Sequence, residues 1–479
     1  MAKIIKRHKP LAVSPLKVSQ PTGAVLALLG IRHALPMLHG SQGCSAFAKV
    51  FFVRHFREPI PLQTTAMDQT TTVMGADDNV FQGLRTLIEK RHPALIGIPT
   101  TGLSETQGSD IQGLVTRFYQ QFPEYTSTPI IPIVTPDYSG GLESGYALAV
   151  EALIDRLVPD DAGHAGENPK QINVLVSSML TAADLEYLRD LVERFSLEPV
   201  ILPDVGDALD GHLTEDDFTP VTIGGTPVDA FATLGKARAT LVIGRSLHKA
   251  ANLLHQRTGV EDYRFDSLMG LEAMDRLVET LHQLSGQAVS SRLERERSQL
   301  QDSMLDTHFM LGFARYAVAA DPDLLLSLSQ LLVSMGGEVV AAVSPHNAPL
   351  LSDLPVNEVF IGDLEDLEHA ARTHQAQLLI SNAHAAETAS RLHIPLVRAG
   401  WPVYDRLGAQ HQLWIGYRGT RNTLTRLANE LLEQGHQHAI KPYVSIYAST
   451  VYRADTTQKT TQTHHSITRE VSHAAFEAD

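Results

Sequence analysis

At 479 residues, with 43% hydrophobic and 19% charged, the chain is too long for one ordinary core and has the balance of two to four folded, water-facing domains. Its formal charge of −15 argues against a nucleic-acid partner, because binding phosphates needs clustered Lys and Arg. A single cysteine excludes an internal disulfide and fits a reducing compartment, and no apolar run nears the roughly 18 residues that span a bilayer.

Residues 1–20 carry Lys3, Lys6, Arg7, Lys9 and Lys17 among prolines and read as an extended, solvated arm. No apolar run with a cleavage site follows them, so no signal peptide and a cytoplasmic location are expected. From Pro21 to about Leu38 the chain reads as an apolar helix leading into His39-Gly-Ser-Gln-Gly-Cys44. Phe47, Val50, Phe51 and Arg54 then recur at three- and four-residue spacings, which predicts a helix starting near the cysteine.

Beyond residue 79 helices and short β-branched runs alternate. Helices are expected at 79–90, 111–121 and 145–157, with strands at 94–98 and 130–134 between them. After a Gly-, Asp- and Pro-rich linker at 160–171, the pattern resumes with strands at 172–176, 199–202 and 240–243 and helices at 182–194 and 270–283. The alternating charges of Arg292 to Arg297 read as a solvated helix face. A third run has strands at 316–320, 338–343, 359–361, 378–381 and 396–398. Its first helix opens on Asp321-Pro322 and closes before Gly336-Gly337, with proline just inside the start and glycine just past the end. The fold class is therefore α/β, with three Rossmann-like doubly wound parallel-sheet domains. The expected divisions are 1–165, with the arm and the cysteine loop, 166–305 and 306–452. A Thr- and Gln-rich tail at 453–479, with His464-His465 and no apolar periodicity, is expected to be disordered.

Cys44 is the residue to explain. A thiol in the first turn of a helix meets unpaired amides with partial positive charge, a setting suited to a sulfur that ligates soft metals. A lone cysteine also serves as a small packed hydrophobe, and the residues alone leave both readings open. A four-iron cluster wants about four ligands, so one thiolate cannot build it, and a homodimer brings only two copies. A cluster at Cys44 therefore implies a different chain that supplies the rest. Elsewhere, His248 and His255 lie seven apart on one helical face without a third ligand, and read as a helix surface. The glycine clusters Ser139-Gly-Gly-Leu-Glu-Ser-Gly145 and Met335-Gly-Gly-Glu338 lack the following Lys-Ser or Lys-Thr of a phosphate loop and read as turns. No Gly-x-Ser-x-Gly elbow or zinc-protease helix is present, which weighs against a self-contained hydrolase.

Four ordered motifs, Ser19-Gln-Pro-Thr-Gly23-Ala, His39-Gly-Ser-Gln-Gly-Cys44, Arg54-His-Phe-Arg-Glu-Pro59 and Thr70-Thr-Thr-Val-Met-Gly75, resemble the signatures of β-type chains of the nitrogenase component 1 family. The likeness runs from about residue 10 to about residue 440. It implies that Cys44 ligates an iron-sulfur cluster at the interface with an α-type partner. Two further cluster cysteines of nitrogenase β chains fall where this chain has Ser19 and Gly102, and Asp137 stands in place of a serine near that cluster. The ligands of an eight-iron P-type cluster are thus missing, and the resemblance favours a cofactor-assembly scaffold. It implies a [4Fe-4S] cluster shared with the α-type scaffold subunit in an α2β2 heterotetramer, and an iron-molybdenum cofactor precursor held mainly by that partner. The nitrogenase iron protein and a radical-SAM precursor enzyme are the other implied partners, with no nucleic acid and no membrane. A nitrogenase-like reductase β subunit, or a small-molecule-binding α/β protein with a merely packed cysteine, are the alternatives.

Overall fold

The computed structural model describes residues 1–6, 12–213 and 219–439. Arg7 and Lys9 of the arm, and the whole expected tail, lie outside the described residues. The chain divides at Leu432: the first unit, Met1–Leu432, holds all the strands found among the described residues, and of the second only the continuation of helix Gly416–Ala439 is described.

The strands are β1 (Lys3–Ile5), β2 (Ala34–Leu38), β3 (Gln63–Thr64), β4 (Leu95–Pro99), β5 (Ile130–Ile133), β6 (Asn168–Val176) and β7 (Glu198–Leu202). They continue as β8 (Ala237–Ile243), β9 (Asp262–Phe265), β10 (Arg315–Ala319), β11 (Glu338–Ser344), β12 (Glu358–Ile361), β13 (Leu378–Ser381) and β14 (Leu396–Arg398). Three sheets form, in the orders β3-β2-β4-β5, β7-β6-β8-β9 and β1-β12-β11-β10-β13-β14. Every pairing is parallel. Parallel neighbours need crossover helices, and central strands such as β4, buried along its whole length, are apolar on both faces because helices cover both. The doubly wound α/β reading holds for all three sheets.

Two expectations give way. The stretch 21–38 is not one helix: α1 (Gln20–Leu29) stops at Gly30, and β2 follows a turn in which His33 has φ 54°. Both pieces are apolar and wholly buried, so periodicity does not distinguish them. Nor are the described residues of the arm solvated throughout. β1 pairs with β12, Lys3 meets Glu358 at 2.9 Å, and Ala2 and Leu16 are buried. A three-residue strand whose partner lies some 355 positions away leaves no local signal. In the charged stretch, Glu296 is buried beside Arg194 and Arg292, on the inward helix face it shares with Leu293 and Leu300, so that stretch is not a solvated face throughout.

The glycine-rich turn after β5 has a packing role. α1 lies against helix Leu142–Leu157, and a Cβ on Gly23 would stand 1.8 Å from the Leu142 carbonyl oxygen. A Cβ on Gly145 would stand 1.8 Å from the Gln20 carbonyl oxygen. Only residues without a side chain allow this reciprocal approach of two backbones.

The same turn carries a buried polar joint between the sheets. Glu143 follows β5 and is 3% exposed; its Oε2 accepts the backbone N–H of Asp323 at 2.8 Å. Asp323, 1% exposed in helix Pro322–Ser334, in turn accepts the Arg245 N–H at 3.0 Å and the Ser246 hydroxyl at 2.6 Å, from the turn after β8. Burial pushes both carboxyls above their ordinary range, and the Asp323 and Asp321 charges push Glu143 further. Arg245 is engaged by Asp266 and Asp353, and burial holds His346, beside Asp321, down at about 4. The folded chain thus keeps protons that the unfolded chain releases above about pH 4, so this contribution to stability is full below that pH and is lost as pH rises. Glu143→Gln keeps the acceptor without the charge. Thermal melts from about pH 5 to 8 should fall less steeply for this variant than for wild type, and an equal slope would refute shared protonation. Glu143→Ala, which strands the Asp323 N–H, should cost about 1–3 kcal/mol.

Candidate functional site

β2 delivers the chain to His39, which fixes the loop ahead of the cysteine. The His39 N–H donates to the Pro99 carbonyl at 2.9 Å, and its carbonyl accepts the Thr101 and Ser104 hydroxyls at 3.0 and 2.9 Å. Its ring nitrogens meet Thr65 Oγ1 at 3.0 Å and Ser109 Oγ at 2.9 Å, and burial lowers its pKa to about 4. His39 is therefore a neutral, fully bonded anchor with no lone pair left for a metal. Gly40 packs so closely on Thr101 that a Cβ would lie 2.6 Å from Thr101 Oγ1.

The expected helix follows as α2 (Gln42–Phe56), with Ser41 in extended geometry ahead of it. Cys44 stands in its first turn, exposed, with Sγ 3.4 Å from Ser41 Oγ. It lines a cleft of about 410 Å³ together with Ser19, Asp137, Thr101, Lys17 and Phe47. Ser19 opens α1, and its hydroxyl pairs with Thr22 Oγ1 at 2.7 Å. Asp137 Oδ2 accepts the Gly102 N–H at 3.3 Å, and its backbone carbonyl accepts Lys17 Nζ at 2.7 Å. Burial raises the Asp137 carboxyl and lowers the Lys17 ammonium. The structure thus gathers Ser19, Cys44 and Asp137 around one space, with Gly102 bonded to its wall.

His248 and His255 do not join this site. His255 Nδ1 bonds the Val260 carbonyl at 2.8 Å, and no group of three or more His, Cys, Asp or Glu suited to a metal ion occurs among the described residues. Sequence reasoning missed Lys17, two residues before a recognised motif, and the walls at Pro345 and Asp363. For those walls the sequence held no signal: Asp363 reaches the cleft because it accepts the N–H of Val13 as the arm folds over it.

Beyond the cleft, α2 turns an apolar face outward. Phe47, Val50 and Val53 are 67%, 52% and 39% exposed, Phe51 stands edge-on to Phe47 at 4.8 Å, and Arg54 covers the Tyr404 ring at 4.6 Å. Chemically, this chain offers one soft ligand. The Ser19 hydroxyl and one Asp137 oxygen are already engaged within the chain. The set fits one corner of a metal cluster, with the remaining ligands coming from outside.

Residues 19–432 match the nitrogenase component 1 type oxidoreductase family. The chain belongs to the nitrogenase component 1 family. Among relatives of this member, the nitrogenase iron-molybdenum cofactor biosynthesis protein NifN of Klebsiella pneumoniae is 45% identical over 438 residues, covering 91% of this chain and 95% of its own. NifN of Bradyrhizobium diazoefficiens is 42% identical over 429 residues, covering 90% and 91%. A solved chain titled nitrogenase Cp1 at pH 6.5 superposes with a TM-score of 0.84 at 26% identity, over 93% of this chain and 98% of that one. No helix among the described residues is long and apolar enough to cross a membrane.

The exposure of this family member's only cysteine has a direct readout. A thiol reagent should label a single equivalent per native chain without denaturant, and labelling that requires unfolding would contradict the placement of Cys44 at the surface.

Proposed function

We propose that this chain is the β-type subunit of a heterotetrameric scaffold on which the iron-molybdenum cofactor precursor is matured, and that Cys44 gives one ligand to a [4Fe-4S] cluster shared with an α-type, NifE-like subunit. The observation that carries the reading is the exposed Cys44 in the first turn of α2, beside the exposed apolar Phe47, Val50 and Val53. A lone thiol on an outward apolar face suits completion by a second protein, because apolar side chains and a soft ligand are then buried together. The printed names of the NifN relatives support the assembly role.

Such a cluster supplies one-electron transfer when bound. The work of this chain is to present the Cys44 sulfur, to hold its loop through His39 and Gly40, and to shield one side with Phe47 and the arm. The precursor is held mainly by the α-type subunit, and the nitrogenase iron protein and a radical-SAM enzyme deliver to the complex. The chain is read as domains 1–165, 166–305 and 306–452, with β1 reaching from the first range into the sheet of the third, and the whole as cytoplasmic. A reductase β subunit is the nearest alternative. Ser19 and Gly102, in place of two thiols, weigh against the eight-iron cluster of nitrogenase itself.

The chain purified anaerobically alone should hold no stoichiometric cluster, because one thiolate leaves most iron sites open. The complex should hold four-iron clusters at the interface, and the spin-resonance signature of an oxidised P-type cluster would sink this assignment. In the assembled complex, Cys44→Ala should lose or alter the interface cluster, read by iron content and spectrum. Its fold should survive, since an exposed small side chain contributes at most about 1 kcal/mol. An unchanged cluster and undiminished maturation would reduce Cys44 to a packing residue.

A further inference from the structure

A second cavity, of about 240 Å³, lies within the first unit where the segments following β6 and β14 meet the end of α2 and helix Gly416–Ala439. Space beyond the C-terminal ends of parallel strands is where doubly wound folds hold ligands, and this volume suits a small molecule rather than a dinucleotide.

Its lining is cationic. Arg398, Arg406 and Arg426 all border it, against one carboxylate, Glu430. Arg398 is tied by Asp405 Oδ2 at 2.7 and 3.0 Å and by the Leu396 carbonyl at 3.1 Å. Arg426 is half-buried and has no hydrogen bond or ion pair among the described residues. Burial pulls its pKa down; the Glu430 charge opposes this, and the charges of Arg406 and Arg398 add to it. A guanidinium in that setting has no hydrogen-bonded counter-charge, and the single carboxylate of Glu430 is outnumbered by three arginines.

Two buried donors border the same space without partners. The Tyr146 hydroxyl, on a residue 1% exposed, and the Trp401 indole Nε1, on one 7% exposed, have no hydrogen-bond acceptor. Buried polar groups are rarely left unpaired, since each then forfeits the hydrogen bond it made with water. One acceptor, Gln410 Oε1, is also without a partner there among the described residues, and a ligand hydroxyl would suit it.

We propose that this cavity binds a small anion, a carboxylate or a phosphate, whose charge is held by Arg426 and Arg406 and whose oxygens accept hydrogen bonds from the Tyr146 hydroxyl and the Trp401 indole N–H. The proposal is independent of Cys44 and of any cluster.

The chain reports on this site by itself, because its only two tryptophans, Trp401 and Trp414, both line the cavity. Indole fluorescence of the full-length chain is titrated with inorganic phosphate and separately with succinate, against chloride at matched ionic strength. Calorimetry counts the sites. Saturable change at one site per chain with phosphate, with succinate or with both, and none with chloride, is expected, and the stronger response identifies the head group. Arg426→Gln should weaken binding by about tenfold, and Arg426→Lys should restore part of it. Tyr146→Phe, which removes only the unpartnered oxygen, should weaken binding without lowering the melting temperature. The absence of a saturable response to either anion would overturn the proposal. So would wild-type affinity in both Arg426→Gln and Tyr146→Phe.

Discussion

Two backbones in contact organise much of this molecule. With no side chain at Gly23 or Gly145, α1 and helix Leu142–Leu157 meet main chain to main chain, and each residue's Cβ would overlap a carbonyl oxygen of the other helix. That contact sets the position of α1, whose first turn brings Ser19 to the Cys44 cleft, and of the opposite helix, whose first turn brings Glu143 to Asp323. A larger residue at either position would separate the helices, and both the cleft and the joint between the sheets would shift with them.

The cleft itself is a half-made site. The groups that surround Cys44 are bonded from within: His39 by five partners, Ser19 by Thr22, and one Asp137 oxygen by Gly102. Cys44 itself is exposed, and the helix that carries it exposes Phe47 and Val50 to water. Rigid support beneath an unfinished surface is the form expected of an interface ligand, since the supporting hydrogen bonds hold the sulfur in place before the partner arrives.

The central cavity shows the opposite condition. There the lining residues Arg426, Tyr146 and Trp401 carry a guanidinium, a hydroxyl and an indole N–H without hydrogen-bond partners among the described residues. Both spaces are bordered by α1 and α2, with Cys44 and Phe47 near the start of α2 at the cleft and His55 and Phe56 at its end beside the cavity.

Local chemistry was enough for much of the architecture. β-branched runs between amphipathic helices required a parallel, doubly wound arrangement, and the helix opening at Asp321-Pro322 and the strands at 378–381 and 396–398 fall where capping and apolar runs place them. The motifs around Ser19, Cys44 and Gly102 were also legible, because each is a short contiguous string. What the sequence left open depended on contacts across long separations. β1 exists only because β12 accepts it, and the strand at Ala34–Leu38 is distinguished from a helix only by lying between β3 and β4. The walls at Pro345 and Asp363, the buried Glu143–Asp323 contact and the convergence of Arg398, Arg406 and Arg426 likewise arise from packing between sheets. The sequence by itself determined that short apolar runs alternate with amphipathic helices and that a lone thiol begins one of those helices. Only the tertiary structure decided which distant residues share a space, because burial and pairing are properties of the folded neighbourhood and not of the segment.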